Sequence, residues 1–404
     1  MKKYILKDLL SDVISGEWGN EPKETSHIKV IRTTNFSNDG KLNLDKEVVI
    51  RDIDSQKVEK KRLKYGDIII EKSGGSPTQP VGRVVYFDLH ADNFLCNNFT
   101  AILRPKNDVC SKYLFYCFYQ FHTRGKTISY QNKTTGIINL KLDTYLNGET
   151  INLPSFAEQQ KIAAVLAEAE SLILKRKQAI AKLDVLVESI FFDMFGDPAT
   201  NPRKWEQKSL REVSIHFSDG PFGSNLKSEH YRPDGVRVIR LQNIGVGEFI
   251  DKDEAYVSEE HYKSIKKHTC YPGEILIGTI GSPNLRACIL PNNIKFAVNK
   301  ADCIRCKPNE EHVQSQYLCH LLNNSQFQNI VKGLIHGQTR SRISMGQLSK
   351  FDIPVPPLNI QNEFRDIAIN IENQKNKMKN QLERLEENFQ SLLQRAFSGQ
   401  LELK

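Results

Sequence analysis

No segment of this 404-residue chain is apolar over the roughly 20 residues that a membrane-crossing helix requires. The N-terminus, Met1-Lys2-Lys3-Tyr4-Ile5-Leu6, begins as an export signal would, but Lys7, Asp8 and Asp12 interrupt it, which excludes that reading. Eight cysteines form no disulfide framework. Cys303 and Cys306 make one C-x-x-C, a zinc site would need a second pair, and a strand-like run over Ala301–Lys307 holds them, so packed thiols in a reducing cytoplasm are expected. Catalytic motifs are missing as well. Gly125-Lys126-Thr127 ends like a phosphate-binding loop, but Gln120 stands where its first glycine belongs. Asp197-Pro198 and Asn201-Pro202 lack the second proline and the aromatic residue of a base-methylating pocket. Pro233-Asp234 is followed by no Asp/Glu-x-Lys triplet, and the ten histidines show no helical His-x-x-Glu-His pairing. No catalytic residue and no metal ligand is assigned.

What the chain does contain is a duplication. Leu153-Pro154-Ser155-Phe156-Ala157-Glu158-Gln159-Gln160 opens a long helical pattern, and Val355-Pro356-Pro357-Leu358-Asn359-Ile360-Gln361-Asn362 opens another. Pro356 follows Pro154 by 202 residues, half the chain. Ile162, Val165, Ala169, Leu172, Ile180, Leu183, Val187, Ile190 and Met194 form an apolar series with coiled-coil spacing. Its counterpart is Phe364, Ile367, Ile371, Gln374, Leu382, Leu385, Phe389, Leu392 and Ala396. Arg176 and Gln374 are the polar interruptions, and the two seams are expected to pack on each other. The repeat continues outside the helices: Ile31-Arg32-Thr33-Thr34-Asn35 answers to Ile239-Arg240-Leu241-Gln242-Asn243, and Tyr65-Gly66-Asp67-Ile68 to Pro272-Gly273-Glu274-Ile275. A period of this size is a domain duplication, far from the solenoid range.

Each globular block reads as mostly β with some helix. Strands are predicted at Val30–Arg32, Asp67–Glu71, Gly82–Phe87 and Phe99–Leu103, then at Val236–Leu241, Glu274–Gly278, Ala287–Leu290 and Ala301–Cys306. Short helices are predicted at Lys112–Phe121 and Gln316–Leu322. The net charge of +8 is uneven: residues 1–153 hold 23 Lys/Arg against 18 Asp/Glu, and residues 201–353 hold 21 against 16. A phosphate backbone would select that excess, though many proteins share one as modest.

Polar loops at matching places supply the candidate binding residues. Lys72, Ser73, Gly74 and Gly75 follow one strand, and Thr279, Ser282 and Asn284 follow its counterpart. Such turns can offer amides and hydroxyls to phosphates. Thr33, Thr34, Asn35, Gln242 and Asn243 end strands with groups able to bond base edges. Gln338, Thr339, Arg340 and Arg342 crowd two guanidiniums among small polar residues, with Lys133, Thr134 and Thr135 in the corresponding place. The loop from Asp219 to Ser224 with Lys227 reads more simply as a turn.

The two helix openings, the Gly66–Ser76 strand-loop and the Gly337–Ser344 loop resemble the specificity subunit of type I restriction–modification systems over nearly the whole chain. Two departures stand out: Ile360 replaces the usual Glu, and Asn362-Glu363 loosens the second opening. The resemblance implies an α+β fold with target-recognition domains at 1–153 and 199–353, and spacer helices at 154–198 and 354–404 paired as an antiparallel coiled coil with pseudo-two-fold symmetry. Helices of about 57 Å would act as a ruler between two half-sites of one asymmetric double-stranded DNA target. It implies no catalysis here. Two methyltransferase subunits and the restriction subunits would carry the S-adenosylmethionine, ATP and magnesium chemistry, and the base to be methylated would be flipped into a partner's pocket. A coiled-coil scaffold that binds protein, and a self-contained DNA-modifying enzyme, are the competing readings.

Overall fold

The computed structural model describes residues 2–76, 78–134, 137–336 and 342–401. It divides into two compact units, Met1–Lys177 with Gln381–Lys404, and Gln178–Asn380. The long helices, Phe156–Phe195 and Leu358–Ser398, are each shared between the units. The expected boundary at 153 falls at the end of the strand Thr150–Leu153, and that at 353 falls within the strand Asp352–Val355. Among the described residues no helix is long and apolar enough to cross a membrane.

Unit 1 is built on a four-stranded antiparallel sheet in the order Leu10–Ser15, Thr100–Pro105, Ile68–Glu71, Val84–Tyr86. Unit 2 repeats that order with Ser214–Ser218, Cys303–Pro308, Ile275–Gly278 and Arg286–Ile289. A second sheet in each is centred on a parallel pair, Ile28–Ile31 with Phe94–Cys96 and Val236–Ile239 with Ala297–Asn299. These strands fall where β-branched and aromatic residues place them. Ile68, Ile69 and Ile70 are all buried, so that strand is covered on both faces. The helices Ser111–Thr123 and Ser315–Asn323 pack their buried faces into the cores.

Two-stranded ribbons tie off each block. Lys2–Ile5 pairs with Thr150–Leu153, and Glu206–Ser209 with Asp352–Val355, so each block's two ends meet just before its long helix. The helix openings explain the repeated Pro-x-x-x-x-Gln spacing. Gln159 is buried, its Oε1 accepts the Cys110 N–H at 2.9 Å, and its Nε2 donates to the Pro154 carbonyl at 3.0 Å. Gln361 does the same for Gln314 at 2.8 Å and Pro356 at 2.7 Å, and also reaches the His312 carbonyl. The glutamine thus staples the start of the domain helix to the start of the long one. Glu158 closes a capping box with Ser155, accepting its N–H at 2.9 Å and hydroxyl at 2.7 Å. Ile360 cannot do so; its N–H bonds the Pro357 carbonyl instead. The departure from the family pattern costs a cap and keeps the staple.

Within unit 1, Ile162, Ala163 and Leu166 from the start of the first helix share a core with Phe389, Leu393 and Ala396 from the end of the second. Within unit 2, Phe191 and Phe195 from the end of the first share a core with Phe364 and Ala368 from the start of the second. Each unit thus joins an end of one long helix to an end of the other, though not every residue of the expected apolar series is covered. Val165 and Leu172 are exposed, as is Gln374.

Candidate nucleic-acid interface

In each unit the central parallel strand ends in one turn of 3-10 helix, Thr33–Asn35 or Leu241–Asn243. The asparagines expected at base edges are fully buried there. Asn35 accepts the Arg32 N–H at 3.0 Å and donates to the carbonyls of Asn43, Lys46 and Glu47. Asn243 accepts the Arg240 N–H at 2.9 Å and donates to the carbonyls of Ile250 and Asp253, both at 3.0 Å. These two side chains hold the following loop and face no solvent. Thr34 and Gln242 do face outward, while Thr33 is half-buried. The Gln242 amide is engaged by the Asp253 carboxylate. An arginine at the start of the edge strand of the four-stranded sheet, Arg83 just before Val84–Tyr86 and Arg286 opening Arg286–Ile289, latches each turn. Arg83 donates to the Thr33 carbonyl at 3.4 Å and pairs with buried Glu71 at 2.9 Å. Arg286 donates to the Leu241 carbonyl at 3.0 Å, and to those of Ile244 and Ile280.

The loops after the central antiparallel strands are built differently in the two copies. In unit 1 Ser73–Gly75 adds to the ribbon of Gln131–Thr134 and Ile137–Leu140, and Ser73 Oγ donates to Asn139 Oδ1 at 2.5 Å. Gly74 has φ 100°, with nothing within 4 Å of where a Cβ would project, so its backbone is open to an approaching ligand. Lys72 is half-buried and donates to Ser15 Oγ at 2.9 Å. In unit 2 Thr279 is buried, contrary to the expected outward role, because its hydroxyl donates to the Asp302 carbonyl at 3.1 Å. Ser282 is exposed and Asn284 half-buried. Arg342 is exposed and lies 3.5 Å from the Asp302 carboxylate. Thr135, Gln338, Thr339 and Arg340 lie outside the described residues, as do the side chains of Lys133 and Thr134.

Two titratable groups at these loops are perturbed. Burial draws the Lys72 ammonium below its ordinary range. Burial, and then the neighbouring Asp302 charge, push the Asp219 carboxyl up to about 6. Asp219 sits in the segment that the sequence presents as a plain turn, and Asp302 carries a left-handed φ of 65°. Nothing in their immediate sequence marks either; only the strand register does. All eight cysteines are free, and Cys303 and Cys306 are buried in one strand, with burial pushing the Cys306 thiol to about 12. Among the described residues no cluster of His, Cys, Asp or Glu is disposed to hold a metal.

Two similar units, each with an arginine-latched turn after its parallel strand and a polar loop after its central antiparallel strand, match a known domain. A family model described as the type I restriction modification DNA specificity domain matches twice, over residues 2–183 and 202–387. The chain belongs to this family. The specificity subunit of the type I restriction enzyme MjaVIII from Methanocaldococcus jannaschii is 23% identical over 320 residues, covering 75% of this chain and 73% of that protein. The putative MjaX specificity subunit of the same organism is 23% identical over 418 aligned positions, covering 99% and 93%. Among solved structures, the S subunit of a type I system from M. genitalium shares the fold with TM-score 0.55 at 17% identity, covering 100% of this chain and 96% of that one. A chain from a study of assembly and conformational transition in the type I system gives TM-score 0.58 at 16% identity, covering 99% and 98%.

Proposed function

We propose that this chain is the DNA sequence-recognition subunit of a type I restriction–modification complex. The duplicated specificity domain carries the proposal, because two units with one scaffold and different loop residues suit two different half-sites of an asymmetric bipartite target. The long helices would set the interval between the half-sites. Sequence is read in the major groove by loop side chains, while backbone amides hold phosphates. The subunit does no chemistry of its own; methyltransferase and restriction subunits supply S-adenosylmethionine, ATP and magnesium. Apolar residues left exposed on the first long helix, among them Val165, Leu172, Val185 and Phe192, support docking of such partners. Selection from a random duplex library by the full chain tests the reading. A two-part asymmetric consensus is expected, with affinity falling steeply with salt. Failure to select any consensus, or turnover of DNA by the chain alone with magnesium and S-adenosylmethionine, would overturn it.

A further inference from the structure

The strand ladders fix equivalences that the sequence leaves loose. Glu71 faces Thr100 and Gly278 faces Cys303, so the following residues, Lys72 and Thr279, correspond. The Lys72 amide donates to the Phe99 carbonyl at 2.9 Å and the Thr279 amide to the Asp302 carbonyl at 3.2 Å, which matches Phe99 to Asp302. The carbonyls of Lys72 and Thr279 accept from Leu140 and Ile343, which matches Asn139 to Arg342, one residue earlier. On the other side, Ile14 faces Ile102 and Ser218 faces Arg305, one step before Ser15 and Asp219. A glycine follows each: a Cβ on Gly16 would lie 2.0 Å from the Asn97 carbonyl oxygen, and one on Gly220 2.3 Å from that of Asn299. One corner of the scaffold therefore holds Ser15, Lys72, Phe99 and Asn139 in unit 1, and Asp219, Thr279, Asp302 and Arg342 in unit 2.

The two corners are opposite in charge. In unit 1 the Lys72 ammonium is half-buried and bonded to a neutral hydroxyl; among the described residues no carboxylate lies within ion-pair distance of it. Phe99 beside it leaves 47% of its surface in water. A desolvated cation without a counter-charge is unfavourable until a ligand supplies acceptors. In unit 2 the same place holds two carboxylates and one guanidinium, and the second carboxylate helps hold Asp219 up near 6.

Resting on the DNA-reading function above, we propose that this corner is the specificity-determining position of each unit. Lys72 donates to the acceptor edge of a guanine in one half-site, and Asp302 beside Arg342 accepts from a base amino group in the other. Lysine suits guanine O6 and N7, and a carboxylate suits an exocyclic amine. The experiment is duplex-library selection by the full chain, wild type against Lys72→Met, Lys72→Arg and Asp302→Asn. Lys72→Met is expected to lose about 10- to 100-fold of guanine preference at one base pair of one half-site, with the other half unchanged. Lys72→Arg restores the preference. Asp302→Asn, which tolerates the left-handed backbone and gains a donor, relaxes one base pair in the other half only. Equal weakening on every sequence, with the salt slope reduced by about one, would make Lys72 a phosphate clamp and overturn the assignment. An unchanged consensus overturns it too. A wild-type chain that selects nothing overturns the DNA reading instead, so the two failures are distinguishable. Retained melting temperature in Lys72→Arg keeps the comparison valid if Lys72→Met fails to fold.

Discussion

Each globular block is held on its helices, but the two attachments are made of different chemistry. In unit 2 Phe191, Phe195, Tyr317 and Phe364 interlock, with ring centroids 4.7–5.6 Å apart. His320 meets the Phe364 ring edge-on at 5.1 Å, and burial holds its imidazole neutral, down to about 4. The equivalent places in unit 1 are aliphatic or mixed: Ile162, Leu393, and Tyr113 on Phe397 at 5.1 Å. Tyr116 stands where His320 does, and donates to Glu170 at 2.7 Å. Farther along, Glu248 of the unit 2 loop grips Lys379 at 2.6 Å. Its counterpart Lys41 faces a cavity of about 520 Å³, lined also by Asp39, Tyr119, Glu170, Lys177 and Glu386. Duplication thus preserved the staple glutamines and the sheet order while letting the packing around them drift. What is kept is the geometry of attachment, since hydrophobic residues of adequate size suffice for the rest.

The largest break is expected at the aromatic cluster. Phe364→Ala opens a cavity beneath three rings and should cost unit 2 about 3–5 kcal/mol. Ile162→Ala at the equivalent place should cost unit 1 about 2–5 kcal/mol, toward the lower end. Each unit has one tryptophan, Trp18 and Trp205, so single-tryptophan variants melted in urea read each unit apart. Loss of Trp205 signal at unchanged denaturant would contradict the ranking. Next is the staple. Gln159→Leu and Gln361→Leu each leave a buried amide and carbonyl without partners, about 1–3 kcal/mol apiece. If Gln361→Leu proved harmless, the shared motif would have to serve something other than holding block to helix.

Much of this was legible beforehand. The Pro-x-x-x-x-Gln repeat and the Ile68–Ile70 run announce helix and buried strand through local chemistry alone, and both are where the sequence puts them. The site was harder. Asn35 and Asn243 look like base readers because a strand-end amide can read a base, yet the same amide can cap a turn, and only burial tells which. Val165 and Leu172 follow coiled-coil spacing yet are exposed, because spacing cannot say which positions of an apolar series end up covered. Asp302 corresponds to Phe99 through a ladder whose offset drifts along the chain, so no sequence comparison of these two residues would align them by chemistry.

The corner residues also separate the units by pH. Asp219 rises from an ordinary 3.8 to about 6 on folding, so the unfolded state releases its proton first. Stability of unit 2 should therefore fall as pH rises from about 4 to about 6, whereas Ser15 gives unit 1 no such slope. The group is partly exposed, so the loss should be about 1 kcal/mol after allowance for solvent screening. Asp219→Asn should flatten the pH dependence read by Trp205 and leave that read by Trp18 unchanged. An unaltered slope would mean that the carboxyl is better solvated than its surroundings suggest.

The smallest effect is the most direct probe of how the attachments differ. Glu248 and Lys379 form an exposed pair worth roughly 0.2–1 kcal/mol in a double-mutant cycle. In unit 1 the corresponding residues are both cationic, Lys41 and Lys177, and Lys177 turns to Glu386 at 2.7 Å instead. Lys41→Glu should recreate the missing clasp by drawing Lys177 toward the loop. It also adds a carboxylate to a cavity already lined by Asp39, Glu170 and Glu386, and burial already keeps Glu170 reluctant to ionise. Attraction and repulsion nearly offset, so stability read by Trp18 should move by less than about 0.5 kcal/mol. Adding Glu386→Gln should free Lys177 and remove one repulsion, so the double variant should gain over Glu386→Gln alone. No gain there would show that the cavity, rather than the charge at position 41, keeps this attachment open.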